Sequence, residues 1–219
     1  MRPYYEDDAC TIYHGDCRDV LRSLETDSAD LVFADPPYNV GLVYGAGTDD
    51  KRKDADYARW CREWFTQARR VAHAVAITPG MVSVPMWLAD IERTHFLIAW
   101  TKANNNSRNY MGVTSGYQCW EPVLLYGKSR ATVLRDWIDQ PISLQPDVSG
   151  HPCPKPLKLM TKLLMQLSTD GGTVIDPFLG SGTTLVAAKS LGRKAVGIEI
   201  EEAYCEIAAK RLAQEVLAL

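Results

Sequence analysis

Short apolar stretches alternate with amphipathic stretches along most of the chain. Asp30–Ala34 and Thr173–Asp176 have the largely apolar character of buried strands, whereas Tyr57–Ala72 and Pro156–Leu167 carry apolar residues at helical spacing. Strand-like and helix-like segments in alternation predict an α/β domain with a mostly parallel sheet. No linker interrupts this alternation, so we expect a single domain over residues 1–219.

The same pattern predicts the remaining elements and two irregular loops. We expect further strands at Thr11–His14, Ala74–Thr78, Thr94–Thr101, Cys119–Gly127 and Arg193–Ile200, and further helices at Cys17–Leu24, Pro85–Arg93, Gly182–Leu191 and Glu201–Leu219. The loop Asn39–Asp56 contains three glycines and a charge cluster, and the loop Ala103–Gln118 is polar, rich in asparagine and without periodicity. Connections of this length in a compact domain are often functional, so both loops are candidates for binding a ligand.

Composition narrows the class of protein. The chain is 46% hydrophobic and 23% charged with a formal net charge of −3, which indicates a globular protein and argues against one that coats nucleic acid non-specifically. We expect a cytoplasmic protein without a membrane partner, because the N-terminus lacks a secretory pattern and the apolar runs are too short to span a bilayer. We also expect no metal site, because Cys10, His14 and Cys17 lack a fourth ligand.

A first candidate for chemistry follows the apolar strand Asp30–Ala34 and consists of Asp35, Pro36, Pro37 and Tyr38. Methylating an aromatic amine is difficult because the nitrogen lone pair is delocalised into the ring. The Asp35 carboxylate and the Pro36 carbonyl can accept hydrogen bonds from such an amino group, and Tyr38 offers a ring on which a flipped base can stack. The alternative is a strand-ending turn that happens to contain two prolines.

A second candidate is a strand that leads into a glycine loop and then a helix, with an acid, Glu199, at the end of the next strand. A phosphate-binding P-loop would need lysine where Thr183 follows Gly182, and a nicotinamide site would need glycine at Leu185. S-adenosylmethionine carries no phosphate and fits this loop best. The predicted cofactor residues here are Asp176, Pro177, Phe178, Gly180, Ser181, Gly182, Thr183, Thr184 and Glu199.

Together the two motifs resemble the amino-methyltransferases of DNA, in the motif order of that family's β group, and the resemblance covers nearly the whole chain. It implies a Rossmann-like fold with a seven-stranded, mostly parallel sheet, one reversed strand and helices on both faces. It also implies that Asp16 and Cys17 border the adenine of S-adenosylmethionine. By the same resemblance, His151 and Lys155 belong to the segment that closes over the methionine end of this cofactor.

The resemblance implies methyl transfer to an exocyclic amino group of a DNA base. Asp35 favours adenine N6, because the cytosine-N4 enzymes of this family more often have serine there; cytosine N4 is the alternative. An RNA or small-amine methyltransferase and a non-catalytic nucleic-acid-binding module are further alternatives, against which the motif order and the intact motifs argue. Members with this motif order are often dimers, so we expect a homodimer.

The contacts with DNA are expected in the two irregular loops. Lys51, Arg52 and Lys53 suit phosphates, and the side chains suited to base edges are Asn104, Asn105, Asn106 and Arg108. The alternative is that both loops are solvated surface and that recognition lies within residues 129–150. An insertion at about residues 128–150 is too short to fold as a recognition domain of its own.

Overall fold

A computed structural model describes residues 1–41, 51–91, 93–102, 118–129, 134–142 and 155–214. Within these residues, no helix is long and apolar enough to cross a membrane. The same residues contain no group of three or more His, Cys, Asp or Glu side chains that could hold a metal ion.

The described strands form one mixed sheet. They are β1 (Tyr5–Glu6), β2 (Cys10–His14), β3 (Ala29–Ala34), β4 (Ala72–Ile77), β5 (Phe96–Thr101), β6 (Trp120–Gly127), β7 (Trp137–Asp139), β8 (Thr173–Asp176) and β9 (Lys194–Glu199). Their order across the sheet is β1-β2-β9-β8-β3-β4-β6-β5-β7. β2, β9, β8, β3 and β4 pair in parallel as neighbours, and β6 runs antiparallel to both β4 and β5.

The α/β class and the mostly parallel sheet are confirmed, with a correction to the strand count. Seven strands, β2 to β6 with β8 and β9, form the expected arrangement with β6 reversed. Two short edge strands bring the described total to nine, and β1 is a second reversed strand because it pairs antiparallel with β2. Both are too short to leave an apolar pattern in the sequence. β7 lies within the insertion expected at about residues 128–150 and pairs with β5.

Helices cover both faces of the sheet, as expected. They are α1 (Cys17–Ser23), α2 (Asp54–Val71), α3 (Gly80–Met86), α4 (Leu157–Leu167), α5 (Thr183–Ser190) and α6 (Glu202–Gln214), with a π-helix at Trp87–Ile91. α1 and α2 belong to one buried apolar cluster, whereas α4, α5 and α6 belong to the other.

The helix expected at Pro85–Arg93 is placed wrongly by the sequence. α3 begins at Gly80, and Pro85 lies inside it. Proline lacks the N–H that would continue the helical hydrogen bonds, and the chain widens into the π-helix two residues later. Pro85 suggested the start of a helix, yet in the structure it lies near the end of α3.

The sheet brings both candidate motifs to one edge. β2, β9, β8 and β3 are adjacent and parallel, so their carboxyl ends meet on the same side of the molecule. Asp16 follows β2 closely, Asp35 follows β3, and Asp176 and Glu199 are the last residues of β8 and β9. Crevices at the carboxyl ends of such strands are where open α/β sheets bind ligands.

Candidate active site

A cavity of about 210 Å³ lies at this edge of the sheet. Among the described residues predicted for catalysis or cofactor binding, only Gly182 does not line it. The predicted residues that do are Asp16, Cys17, Asp35, Pro36, Pro37, Tyr38, Lys155, Asp176, Pro177, Phe178, Gly180, Ser181, Thr183, Thr184 and Glu199. The two motifs therefore line one cavity, although Tyr38 and Asp176 are 138 positions apart in the sequence.

Three side chains donate hydrogen bonds to the carboxylate of Asp35. The Tyr38 hydroxyl donates to Oδ1 at 2.6 Å, and Thr78 Oγ1 donates to the same oxygen at 2.6 Å. The Lys155 ammonium donates to Oδ2 at 2.6 Å and to the Tyr38 hydroxyl oxygen at 2.9 Å. A carboxylate held by a lysine and two hydroxyls is suited to accept hydrogen bonds in a fixed direction.

The ring of Tyr38 is also held in place. A Cβ added to Gly80 would lie 2.8 Å from Cγ of Tyr38, so the glycine backbone packs directly against the ring. Burial raises the pKa of the Tyr38 hydroxyl well above its usual value, and the neighbouring Asp35 charge raises the pKa further. Tyr38 is therefore a neutral donor at physiological pH, and its ring lines the cavity with Gly80 packed against it.

Asp176, at the end of β8, lies in a different electrostatic environment. It is 2% exposed, and its Oδ1 accepts a hydrogen bond from the backbone N–H of Phe178 at 2.9 Å. Burial raises the pKa of the Asp176 carboxyl to about 7, against the lowering effect of a hydrogen bond from Thr184. The charges of Asp35 and Glu199 raise that pKa further.

Glu199 is a second buried carboxylate at this end. Its Oε2 accepts the backbone N–H of Gly180 at 2.7 Å, and its Oε1 accepts that of Glu201 at 2.9 Å. Burial raises the pKa of the Glu199 carboxyl above its usual value. Within the described part of the chain, neither Glu199 nor Asp176 takes part in an ion pair.

The glycine loop is shaped by packing as well as by its opening to the cavity. Gly180 and Gly182 have φ values of 52° and 87°, a region that favours glycine. A Cβ on Gly182 would lie 2.8 Å from Cβ of Ala208, so Gly182 faces α6. Because Gly182 packs against α6, it does not line the cavity with the other predicted cofactor residues.

Asp16 and two aromatic rings also line the cavity. Asp16 caps α1 by accepting the backbone N–H of Arg18 at 2.8 Å, and its bonds with the Arg18 side chain lower the pKa of its carboxyl. Trp60 of α2 lies 5.6 Å from the ring of Phe178, measured between centroids. The Arg52 guanidinium lies 4.6 Å from the centre of the Trp60 ring.

Sequence reasoning missed Thr78 and Trp60. Thr78 follows β4 at the same sheet edge as Asp35, and a search of every strand end for polar residues would have found it. Trp60 belongs to a run of aromatic residues on α2, and helical spacing alone does not separate a residue that lines a cavity from one that packs in the core.

The residues predicted to contact DNA are placed only in part. Lys51 and Lys53 are exposed, whereas Arg52 is half-buried, lines the cavity and exchanges two hydrogen bonds with Asn39. The predicted base-reading residues Asn104, Asn105, Asn106 and Arg108 lie outside the described residues, as does the predicted cofactor residue His151. These roles stay predictions.

Comparison with known proteins shows the family to which the sequence is similar. A family model described as DNA methylase matches residues 29–135 and 90–210. The chain is 27% identical over 265 residues to the Type II methyltransferase M.ScaI from Streptomyces caespitosus, a match that covers 100% of this chain and 86% of that protein.

Two solved structures share the fold. The crystal structure of the M1.HpyAVI-SAM complex has a TM-score of 0.62 at 24% identity, covering 93% of this chain and 99% of that one. The cytosine-N4-specific PvuII DNA methyltransferase has a TM-score of 0.72 at 18% identity, covering 95% of this chain and 88% of that one. At these identities the likeness concerns the fold alone.

Proposed function

The chain belongs to the DNA methylase family, and on this premise we propose that it transfers the methyl group of S-adenosylmethionine to N6 of adenine in DNA. One observation carries the proposal. The carboxylate of Asp35, held by three donors, opens into the same cavity as the buried carboxylates of Asp176 and Glu199. An acceptor for an amino group and a pocket for a cationic cofactor are thus adjacent.

The residues at the ends of β8 and β9 fit S-adenosylmethionine. Asp176 and Glu199 are buried carboxylates without an ion pair in the described part of the chain, and such groups are costly unless a cation or donors approach them. S-adenosylmethionine carries a sulfonium and an ammonium group and supplies the methyl group when bound. The Glu199 carboxylate accepts hydrogen bonds from the backbone N–H groups of Gly180, Glu201 and Ile200, and because a carboxylate offers about four acceptor sites, acceptor capacity remains. We assign this remaining capacity to the ribose hydroxyls.

The residues at the end of β3 act on the target base. Asp35 and the Pro36 carbonyl accept hydrogen bonds from the amino group and draw its lone pair away from the ring. Tyr38 stacks on the flipped base with the ring face opposite Gly80, because Gly80 packs against the ring. No strong base is needed, since the proton becomes acidic only when the new N–C bond has placed positive charge on nitrogen.

Adenine is favoured over cytosine by the carboxylate at position 35, where family members that act on cytosine N4 more often have serine.

Relatives of the chain include Type II methyltransferases, so we propose that it modifies a specific DNA site. The expected cytoplasmic location stays a prediction.

The proposal is tested by methyl transfer from labelled S-adenosylmethionine to three polymers of matched sequence. We expect transfer to duplex or single-stranded DNA and none to RNA, because the family acts on DNA. Transfer to RNA alone would contradict DNA as the substrate and would identify an RNA methyltransferase. Binding to DNA without transfer to any polymer would identify a non-catalytic binding module instead.

A further inference from the structure

Thr78 contacts the proposed catalytic carboxylate although it belongs to neither sequence motif. It follows β4, the strand that pairs in parallel with β3. Its side chain is almost fully enclosed, with the residue 1% exposed, and Oγ1 donates to Asp35 Oδ1 at 2.6 Å. The buried Thr78 hydroxyl, at the end of the strand next to β3, therefore contacts the Asp35 carboxylate, which is proposed to bind the target amino group.

The backbone around Thr78 is constrained on both sides. The Thr78 N–H donates to the carbonyl of Ala34 at 3.0 Å, which joins it to the residue directly before Asp35. Pro79 restricts the next φ, and Gly80 has a φ of 65° and packs against the Tyr38 ring. The backbone of Thr78 is therefore restrained, and its hydroxyl stays in one position relative to the Asp35 carboxylate.

The hydrogen bonds to Asp35 leave one orientation of its carboxylate. Oδ1 accepts from Thr78 and Tyr38, and Oδ2 accepts from Lys155. Since a carboxylate has about four acceptor sites, the three bonds leave about one, and it lies on Oδ2. The described donors thus occupy Oδ1 fully and direct the remaining site of Oδ2 to an incoming donor.

We propose that Thr78 is a positioning residue for methyl transfer, which fixes Oδ1 of Asp35 so that Oδ2 receives the amino group of the target base. This inference rests on the proposed function for the identity of that amino group. Without the Thr78 hydroxyl, Oδ1 keeps only the Tyr38 hydroxyl, which is attached to a side chain that must also accommodate the base. The carboxylate then samples several orientations, and fewer of them are productive.

The experiment compares Thr78→Val, which keeps the shape and removes the hydroxyl, with Thr78→Ser, which keeps the hydroxyl. We expect Thr78→Val to lower kcat on DNA by roughly 10- to 100-fold, the size of effect that misplacement of a reacting group produces. The KM for S-adenosylmethionine should stay unchanged, because Thr78 does not line the cavity. Thr78→Ser should recover most of kcat. Thermal melting of both variants, with Thr78→Ala as a replacement should Thr78→Val not fold, keeps stability separate from rate.

The opposite end of β3 offers a matched control. Thr169 Oγ1 donates to Asp30 Oδ1 at 3.2 Å, so Thr169→Val removes the same kind of bond from the same strand, far from the cavity. We expect wild-type kcat for this control. An unchanged kcat in Thr78→Val, equal losses in Thr78→Val and Thr78→Ser, or an equal loss in Thr169→Val would each overturn the proposal.

Crystal structures of the two Thr78 variants separate this inference from the proposed function. In Thr78→Val the Asp35 carboxylate should occupy a new rotamer or several, whereas in Thr78→Ser it should stay in place. An Asp35 side chain that is unmoved in Thr78→Val overturns the positioning role, whatever the activity. If the wild-type protein methylates no DNA, the proposed function fails, and these two structures still decide whether Thr78 positions Asp35.

Discussion

The two ends of the cavity hold carboxylates in opposite ways. At the end of β3, Asp35 is bound by a lysine ammonium and two side-chain hydroxyls, so its charge is balanced within the protein. At the ends of β8 and β9, Asp176 and Glu199 are more deeply buried and accept hydrogen bonds mainly from backbone N–H groups and one threonine. Burial raises the pKa of both carboxyls there.

This difference indicates which end is preformed and which end is completed by its ligand. The β3 end already carries its counter-charge and can orient a neutral amino group. The β8–β9 end has two buried carboxylates that form no ion pair among the described residues, so a cationic cofactor can supply the counter-charge. Variants at the β3 end should therefore change the chemical step, and variants at the β8–β9 end should change cofactor binding.

The largest effect is expected for Asp35→Asn. Loss of the anionic acceptor should lower kcat by roughly 100-fold or more, because the bond to the amino group strengthens in the transition state. The dissociation constant for S-adenosylmethionine should change little. Single-turnover rates and calorimetric binding measure the two quantities separately. Asp30→Asn, at the other end of β3, is the control, and a cofactor affinity that falls as much as the rate would remove the proposed division between the two ends.

Glu199→Gln should produce the complementary result. A charge-assisted bond to ribose hydroxyls contributes about 2–3 kcal/mol, so the cofactor dissociation constant should rise by roughly 30- to 150-fold, while kcat at saturating cofactor changes less. Glutamine is preferable to alanine because it can still accept the Gly180 N–H. Glu202→Gln, on the exposed start of α6, controls for loss of charge. An unchanged dissociation constant in Glu199→Gln would contradict the assignment.

Asp176 connects cofactor binding with pH. Its pKa of about 7 in the folded protein lies above its value of 3.8 in an exposed carboxyl, so its contribution to stability is present at low pH and is lost as pH rises from about 4 to about 7. Asp176→Asn should raise the melting temperature of the ligand-free protein at pH 8 and weaken cofactor binding by roughly tenfold. Between pH 6 and 8, wild-type affinity should increase more than that of the variant, whose residual dependence reports the ligand's own titration. Parallel affinity profiles would count against this role.

Two exposed lysines test the expected contact with DNA. Lys51→Ala combined with Lys53→Ala should weaken DNA binding at all sequences and reduce the salt dependence, by a slope of about 0.9 for each phosphate that the variant no longer neutralises. Arg52 is better tested alone, because it packs on Trp60 and lines the cavity. Lys194→Ala with Lys210→Ala removes two exposed charges elsewhere and should leave the slope unchanged. An equal slope in the two double variants would place phosphate binding elsewhere.

The last prediction concerns the oligomeric state. We propose a homodimer, because the short recognition segment gives one chain a small footprint on DNA and members with this motif order are often dimers. Light scattering at micromolar concentration, with and without DNA, should give about twice the mass of the 24.4 kDa chain. A monomeric mass under both conditions would exclude the dimer.

The sequence predicted the fold well where apolar strands are long or carry a motif. β8 matches its expected bounds, and Asp35, Asp176 and Glu199, at the ends of three parallel strands, line one cavity. It failed where the determining contacts join distant segments. β1 and β7 form only by pairing with another strand, and the contact between Lys155 and Asp35 spans 120 residues. The contacts of the Lys155 ammonium include Asp35 and Tyr38, and the expected place of Lys155 near the cofactor's methionine end stays a prediction.

The central claim is tested most directly by the identity of the methylated base. DNA incubated with the wild-type protein and S-adenosylmethionine bearing a ¹³CD₃ methyl group should yield isotopically labelled N6-methyladenine on digestion and mass spectrometry, and Asp35→Asn should yield at least about 100-fold less in the same time. Labelled N4-methylcytosine would support a DNA methyltransferase activity but would contradict the assignment of adenine as the target base. Full labelling by Asp35→Asn would contradict the account of the site.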